Sequence, residues 1–337
     1  MGTQHRHHEQ THTLTVGSRA RQFNGLSWLP RIPWLRRSAA SARTVAVAVA
    51  VAVARRTPHA ACRVGRHVLT VCENPSVTSR IQRLKACLNG ERSSSEHAGV
   101  PVTPAQLAEA AFAAVAAGAE AVHVHPRDDD GQQTLLAEHI GAAISAIRRR
   151  CPSTAVGVST GLWISGGEPG TRLEAVSTWA RLPVAARPDF ASVNLSEPGF
   201  DELATVLRAA GIGAEAGVWS VSDADTVAAW RPPGGWLRVL IEVFDAAAPD
   251  AQTKDESAPA CAAADRILRR LDEHGVSEPR LLHGEDSACW PLIAHAGRLK
   301  VPTRVGLEDT LVGPDGEPVA GNADLVALAL RMWDATS

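Results

Sequence analysis

The sequence predicts an α/β protein, a (β/α)8 barrel of the TIM type, preceded by a basic extension over residues 1–80. Three observations predict it. From residue 81 onward, short apolar runs alternate with Ala- and Leu-rich helical stretches, and the alternation repeats eight times. The eight units occupy about 255 residues, close to the roughly 250 typical of that fold. The apolar runs are nearly continuous, as in parallel strands covered on both faces. A doubly wound open sheet is the alternative, but no GxGxxG follows the first run, where a dinucleotide fold would need it.

The strand-like runs are RLKACLN (83–89), AEAVHVHP (119–126), TAVGVSTG (154–161), FASVNLSE (190–197), GAEAGVWS (213–220), RVLIEVFD (238–245), RLLHGED (280–286) and TRVGLEDT (303–310). A helical stretch follows each. The first is the clearest: Thr103 can cap it, Pro104 suits its first turn, Gln106 completes a capping box and Gly118 follows its last turn. The others fall at 137–150, 170–180, 201–210, 222–230, 261–274, 288–299 and 322–334. The barrel domain is therefore expected over 81–337.

Residues 1–80 read differently. They hold twelve Arg, no Lys and two acids (Glu9 and Glu73), a net of +10 that leaves −12 for the rest of a chain whose formal charge is −2. The segment reads as a disordered, low-complexity extension. Its Ala/Val run TVAVAVAVAVA at 44–54 is too short to cross a bilayer, which takes about 20 residues, and lies too far along for a secretory signal. An organelle transit peptide is the other reading of an Arg- and Ser-bearing, acid-poor leader. The Arg residues lack interleaved aromatics at regular spacing, so neither nucleic acid nor membrane is expected as a partner. Six cysteines, at 62, 72, 87, 151, 261 and 289, form no CxxC and no regular framework, which fits reduced thiols in a cytoplasmic protein.

In such a barrel the active site lies at the C-terminal ends of the strands. Polar residues collect there: Asn89-Gly90-Glu91-Arg92 after the first strand, His123-Val124-His125 on the second, Ser159-Thr160-Gly161 on the third, Ser192-Val193-Asn194 on the fourth and Arg304 to Asp309 on the eighth. Residues two apart on a strand share a face, so His123 and His125 point together, as do Arg304 and Glu308, with Gly306 between them leaving room at the axis. The eighth strand closes against the first and the first adjoins the second, so Glu308 can approach both histidines. Two imidazoles and a carboxylate with an open position form a recurring catalytic zinc set. Asp309 points away from Glu308 in ideal strand geometry, so its use requires the strand to break. Ser159, Ser192 and Asn194 converge on one rim and are candidate substrate contacts. The DDDG after the histidines tempts a calcium-loop reading, but that frame puts Pro126 at its first position and Ala137 at its twelfth, and the ligands fail.

LNGERSSSEHAGVPVTPAQLAEAA, AGAEAVHVHPRDDDG and RVGLEDTL, in that order, resemble the β-keto acid cleavage enzymes, whose prototype is the 3-keto-5-aminohexanoate cleavage enzyme. The resemblance covers about residues 83–334 and does not reach 1–80. It implies a zinc-dependent, homo-oligomeric barrel, a tetramer by analogy, that converts a β-keto acid and acetyl-CoA into acetoacetate and a new CoA thioester. By motif position it implies His123, His125 and Glu308 as zinc ligands. Ser159 and Ser192 match positions that hold the substrate carboxylate, and Arg304 and Asp309 match the catalytic arginine and general base. Glu91 falls near an acidic catalytic position, in a loop one residue shorter than the family's. On the fifth strand the prototype's E-x-E reads Glu215-Ala216-Gly217, without the second acid.

Three other readings compete. An amidohydrolase would carry its HxH on the first strand and need a bridging Lys and two further strand-end His. A CoA-ester lyase of the aldolase type would not need a second thioester. A catalytically dead ligand-binding barrel would have no use for Arg304, Glu308 and Asp309 together. Trp163 and Trp219, just beyond the third and fifth strands, are candidate walls of an apolar pocket.

Overall fold

In the computed structural model, residues 81–244 and 258–337 are described. The expectations for 1–80, among them the disordered extension, lie outside the described residues. Eight parallel strands close into a barrel in sequence order, the last pairing with the first. They are β1 (Leu84–Cys87), β2 (Ala121–Val124), β3 (Ala155–Val158), β4 (Phe190–Asn194), β5 (Gly213–Val218), β6 (Arg238–Val243), β7 (Arg280–Gly284) and β8 (Thr303–Val305). The helices between them are α1 (Pro104–Ala116), α2 (Ala137–Arg150), α3 (Pro169–Ser177), α4 (Phe200–Ala209), α5 (Val221–Ala229), α6 (Ala258–Glu273), α7 (Cys289–Leu299) and α8 (Asn322–Thr336). The expected TIM barrel is the fold. No helix of the described residues is long and apolar enough to cross a membrane.

Helix α1 begins where local chemistry sets it. Gln106 N donates to Thr103 Oγ1 at 3.3 Å, and Thr103 N donates back to Gln106 Oε1 at 2.9 Å, so two otherwise orphaned donors are satisfied. It ends at Gly118, whose φ of +113° no side-chain-bearing residue adopts easily, and a Cβ there would meet Leu330 of α8 at 2.6 Å. Helix and strand side chains such as Leu107, Ile140, Ile144, Leu203, Leu207, Val122 and Val156 pack into one fully buried layer between the ring and the barrel.

The inward faces of the strands are charged, which the apolar look of the runs does not suggest. At the lower end of the barrel Lys85 Nζ donates to both oxygens of Glu215, at 3.1 and 2.9 Å, and Arg238 Nη1 donates to Glu215 Oε1 at 2.8 Å. All three are buried, and the two cations lie 5.4 and 5.3 Å from the centre of the Phe190 ring. Phe190 fits there because Gly157 faces it: a Cβ on Gly157 would come within 1.9 Å of the ring. Burial works to raise the Glu215 pKa, yet Lys85 and Arg238 outweigh it and hold the carboxyl below its ordinary range.

Strand β8 departs from expectation. It ends at Val305 rather than running to 310, because Asp309 N and Thr310 N turn back onto Gly306 O at 2.9 and 3.1 Å. The clearance at Gly306 is also not at the barrel axis. A Cβ there would sit 1.7 Å from Cys87 O, so glycine is what lets the end of β8 cross the backbone of β1.

Glu215→Gln removes the carboxylate that the buried Lys85 and Arg238 share and is expected to cost about 3–5 kcal/mol in urea unfolding at neutral pH. Because the folded-state pKa of Glu215 is depressed, its contribution is present above the unfolded-state value and lost as pH falls through the folded one. The parent should therefore lose stability below about pH 4, and the variant should show a shallower acid dependence.

Candidate active site

The polar strand ends meet at the upper rim. The end of β2 and the residue after it present His123 and His125 inward, 2 % and 4 % exposed, with their rings 5.2 Å apart and 75° from parallel. Glu308 reaches them from the turn after β8. Its Oε2 lies 3.9 Å from His123 Nε2 and 3.7 Å from His125 Nε2. One ligand atom from each of the three falls within 4.8 Å of the other two. Tetrahedral ligands about 2.0–2.1 Å from a zinc ion stand roughly 3.3 Å apart, so this trio could close on such a cation with little movement.

Their protonation suits that use. Burial pushes His123 down to about 3, leaving the ring neutral at pH 7 with a lone pair to give. Burial acts to raise Glu308, but Arg304, His123 and His125 outweigh it and hold the carboxyl well below its ordinary range. Among the described residues, buried Glu308 Oε2 and His123 Nδ1 find no hydrogen-bond partner. A buried carboxylate oxygen beside two imidazoles with no hydrogen-bond partner is a costly arrangement unless a cation completes it. The residues present therefore fit a divalent metal.

Several residues missed by sequence reasoning hold the trio in place. Asn89, at the end of β1, accepts from His125 N at 2.9 Å and donates to His125 O at 2.8 Å, clamping that backbone from both sides. Asn322, opening α8, accepts from Leu307 N and donates to Leu88 O, both at 2.9 Å, and so ties the segment before Glu308 to β1. Gly90 has φ +53°, and a Cβ on it would lie 2.4 Å from Glu308 Cγ, so Glu308 passes over a residue that must be glycine. The Asn-Gly pair at the strand end was the one visible signal of this arrangement.

Beside the trio, Arg304 stands among four carboxylates. Its Nε and Nη2 donate to Asp309 Oδ1 at 3.0 and 2.7 Å, and Nη2 lies 3.0 Å from Glu308, 3.3 Å from Glu242 and 3.8 Å from Glu285. The break after Val305 is what turns Asp309 inward, the condition its use required. Burial pushes the Asp309 carboxyl up to about 7, against the pull of Arg304, and its Oδ2 has no partner. Burial and the neighbouring Glu242 push Glu285 up to about 9. His283 on β7 is held neutral by burial and Arg304, with both ring nitrogens unpartnered, 3.5 Å from Glu242 and 3.8 Å from Asp309.

The expected substrate contacts line the adjoining wall. Ser159 is buried and its Oγ accepts from Gly161 N at 3.2 Å. Ser192 is half-buried, and its hydroxyl makes no hydrogen bond among the described residues. Asn194 donates to Glu197 Oε1 at 3.0 Å, and a Cβ on Gly217 would lie 2.6 Å from its Oδ1. Glu197, one turn past Asn194, also accepts from Leu162 N and pairs with the buried Arg172 of α3, so it braces the ends of β3 and β4 together. Trp163 is 42 % exposed with its ring over Gly161, and Trp219 Nε1 donates to Glu242 at 2.7 Å. Glu91 is not brought in: it is exposed on the turn after β1 and makes no hydrogen bond or ion pair among the described residues.

The model of the beta-keto acid cleavage enzyme family matches residues 83–337, the whole barrel. The chain belongs to this family. Two curated relatives, both 3-keto-5-aminohexanoate cleavage enzymes, are similar in part. That of Fusobacterium nucleatum is 34% identical over 121 residues, 36% of this chain and 42% of its own length, and that of Acetoanaerobium sticklandii is 30% identical over 118 residues, 35% and 40%. The matched segment thus spans about two fifths of each relative. Among solved structures, ObcA with oxaloacetate superposes with a TM-score of 0.53 at 17% identity over 69% of this chain and 63% of that one. ObcA with a C4-CoA adduct and oxalate gives 0.55 at 18% over the same shares. At these identities the likeness is one of fold.

Gly90→Ala forces a positive φ on alanine and displaces Glu308. It is expected to lower stability by more than about 1 kcal/mol in urea unfolding and to reduce the divalent metal retained after dialysis.

Proposed function

We propose that this member of the β-keto acid cleavage family is a zinc-dependent acyltransferase that takes a β-keto acid and acetyl-CoA to acetoacetate and a new CoA thioester. The observation that carries the reading is the His123–His125–Glu308 trio placed directly beside the Arg304–Asp309 pair. His123, His125 and Glu308 would hold the metal. When bound, zinc would supply Lewis-acid polarisation of the ketone and carboxylate oxygens.

The chain's own residues do the rest. Ser159 and Ser192 offer hydroxyls, and Asn194 an amide, to the substrate carboxylate on the wall next to His125. Cleavage between the α and β carbons builds negative charge on oxygen, and Arg304, a buried fixed cation, is positioned to stabilise it. Asp309 is the group to move the proton: its free Oδ2 and its pKa near neutrality suit a general base that must both take and return one. Glu91 is left without a role in this scheme by its exposure. Cys87, Cys151 and Cys289 are buried free thiols, which supports a reduced, cytoplasmic setting, and the family resemblance supports a homo-oligomer.

His123→Ala and Glu308→Gln should each lose both bound zinc, by elemental analysis, and thioester exchange with a panel of β-keto acids. Zinc retained at full occupancy in either variant would remove the proposed ligand set. Asp309→Asn should keep zinc and lose about 10²–10⁴ in turnover. Cleavage that proceeds without acetyl-CoA would instead mark a lyase.

A further inference from the structure

The DDDG turn after the second histidine has no role in the scheme above, yet it is built with care. Asp128 Oδ1 accepts from Asp130 N at 3.1 Å and Gln132 N at 2.8 Å, and Asp128 N donates to Gln132 O at 2.8 Å. Gly131, at φ +78°, completes the reversal, and Arg127 and Gln133 form an antiparallel bridge. Thr134 N donates to Pro126 O at 3.1 Å and closes the hairpin. The product of this folding is one contact: Gln133 Oε1 lies 2.6 Å from His125 Nδ1.

We propose that Gln133 is a positioning residue for the metal centre, accepting the Nδ1 proton of His125 so that its Nε2 keeps a lone pair toward Glu308 and the cation. The inference rests on His125 being a metal ligand. Metal-bound histidines commonly give their second N–H to an oxygen acceptor, which fixes tautomer and ring angle. An amide oxygen is the only part of the Gln133 side chain that can serve, since its NH2 would force the proton onto Nε2. His123 has no such partner, its Nδ1 being unpaired, so the two imidazoles are held by different means.

The test is zinc affinity of the full chain, stripped and then titrated with Zn²⁺ against a competing chelator, with metal-free melting recorded alongside. Gln133→Leu should weaken zinc binding about 10–100-fold and leave the metal-free melting temperature unchanged. Gln133→Glu, which keeps an acceptor at the same atom, should bind at least as tightly as the parent. A Leu variant within twofold of the parent would overturn the proposal, as would a loss of affinity matched by a loss of metal-free stability, or a Glu variant as weak as Leu. His123→Ala, run in parallel, separates the two ideas: if it binds zinc undiminished, the ligand set itself is wrong, whereas if it fails and Gln133→Leu does not, only the role of Gln133 falls.

Discussion

Everything at the rim depends on how β8 ends. A strand that continued to residue 310 would send Glu308 and Asp309 to opposite faces. Instead the backbone turns on Gly306, which alone can cross Cys87 O, and both acids come round to Arg304 at 3.0 and 2.7 Å. One guanidinium thereby places the proposed ligand and the proposed base side by side, one held well below its ordinary range and the other pushed up to about 7. Two neighbouring carboxylates acquire different acidities: burial acts to raise both, but at Glu308 it is outweighed by Arg304, His123 and His125, whereas at Asp309 burial, helped by Glu308 and Glu242, outweighs Arg304.

The barrel interior is divided by height. Below, Lys85, Glu215 and Arg238 satisfy one another, with Phe190 filling the floor. Above, Glu242, Glu285, Glu308 and Asp309 share a single arginine, and among the described residues Glu308 Oε2, Asp309 Oδ2 and both nitrogens of His283 find no hydrogen-bond partner. The lower set is a buried ion cluster in which two cations share one carboxylate. The upper set is short of positive charge, as a site meant to receive a cation would be.

The order of strands and helices was legible because apolar runs and their spacing are local properties, and all eight units lie where the runs place them. The shared face of His123 and His125 was legible from the two-residue alternation of β2, whereas Glu308 reaches them from the turn after β8, which strand alternation does not describe. Other parts depend on neighbours far along the chain. Lys85 and Glu215 are 130 residues apart, and nothing in either run announces the other. Asn89, Asn322, Glu197 and Gln133 act by gripping backbone or ring atoms, a use that any polar residue in a loop could have. Gly306 was noticed for the right position and the wrong reason, since its space is needed by the backbone of β1 and not by a ligand. Glu91 illustrates the opposite failure: a charged residue beside a catalytic strand whose short loop leaves it facing solvent.

The seam between the first and last strands has a consequence for synthesis. Asn322 binds Leu88 across 234 positions, and the carboxylate that would complete the ligand set arrives only with residue 308. A nascent chain still emerging from the ribosome can form the early strand–helix units and bury much of its apolar surface, but it cannot assemble the centre until residue 308 has emerged. With the proposed ligand set, capture of a metal and closure of the cylinder would be late, shared events, and fragments that stop short of the final strand would be left as scaffold without chemistry.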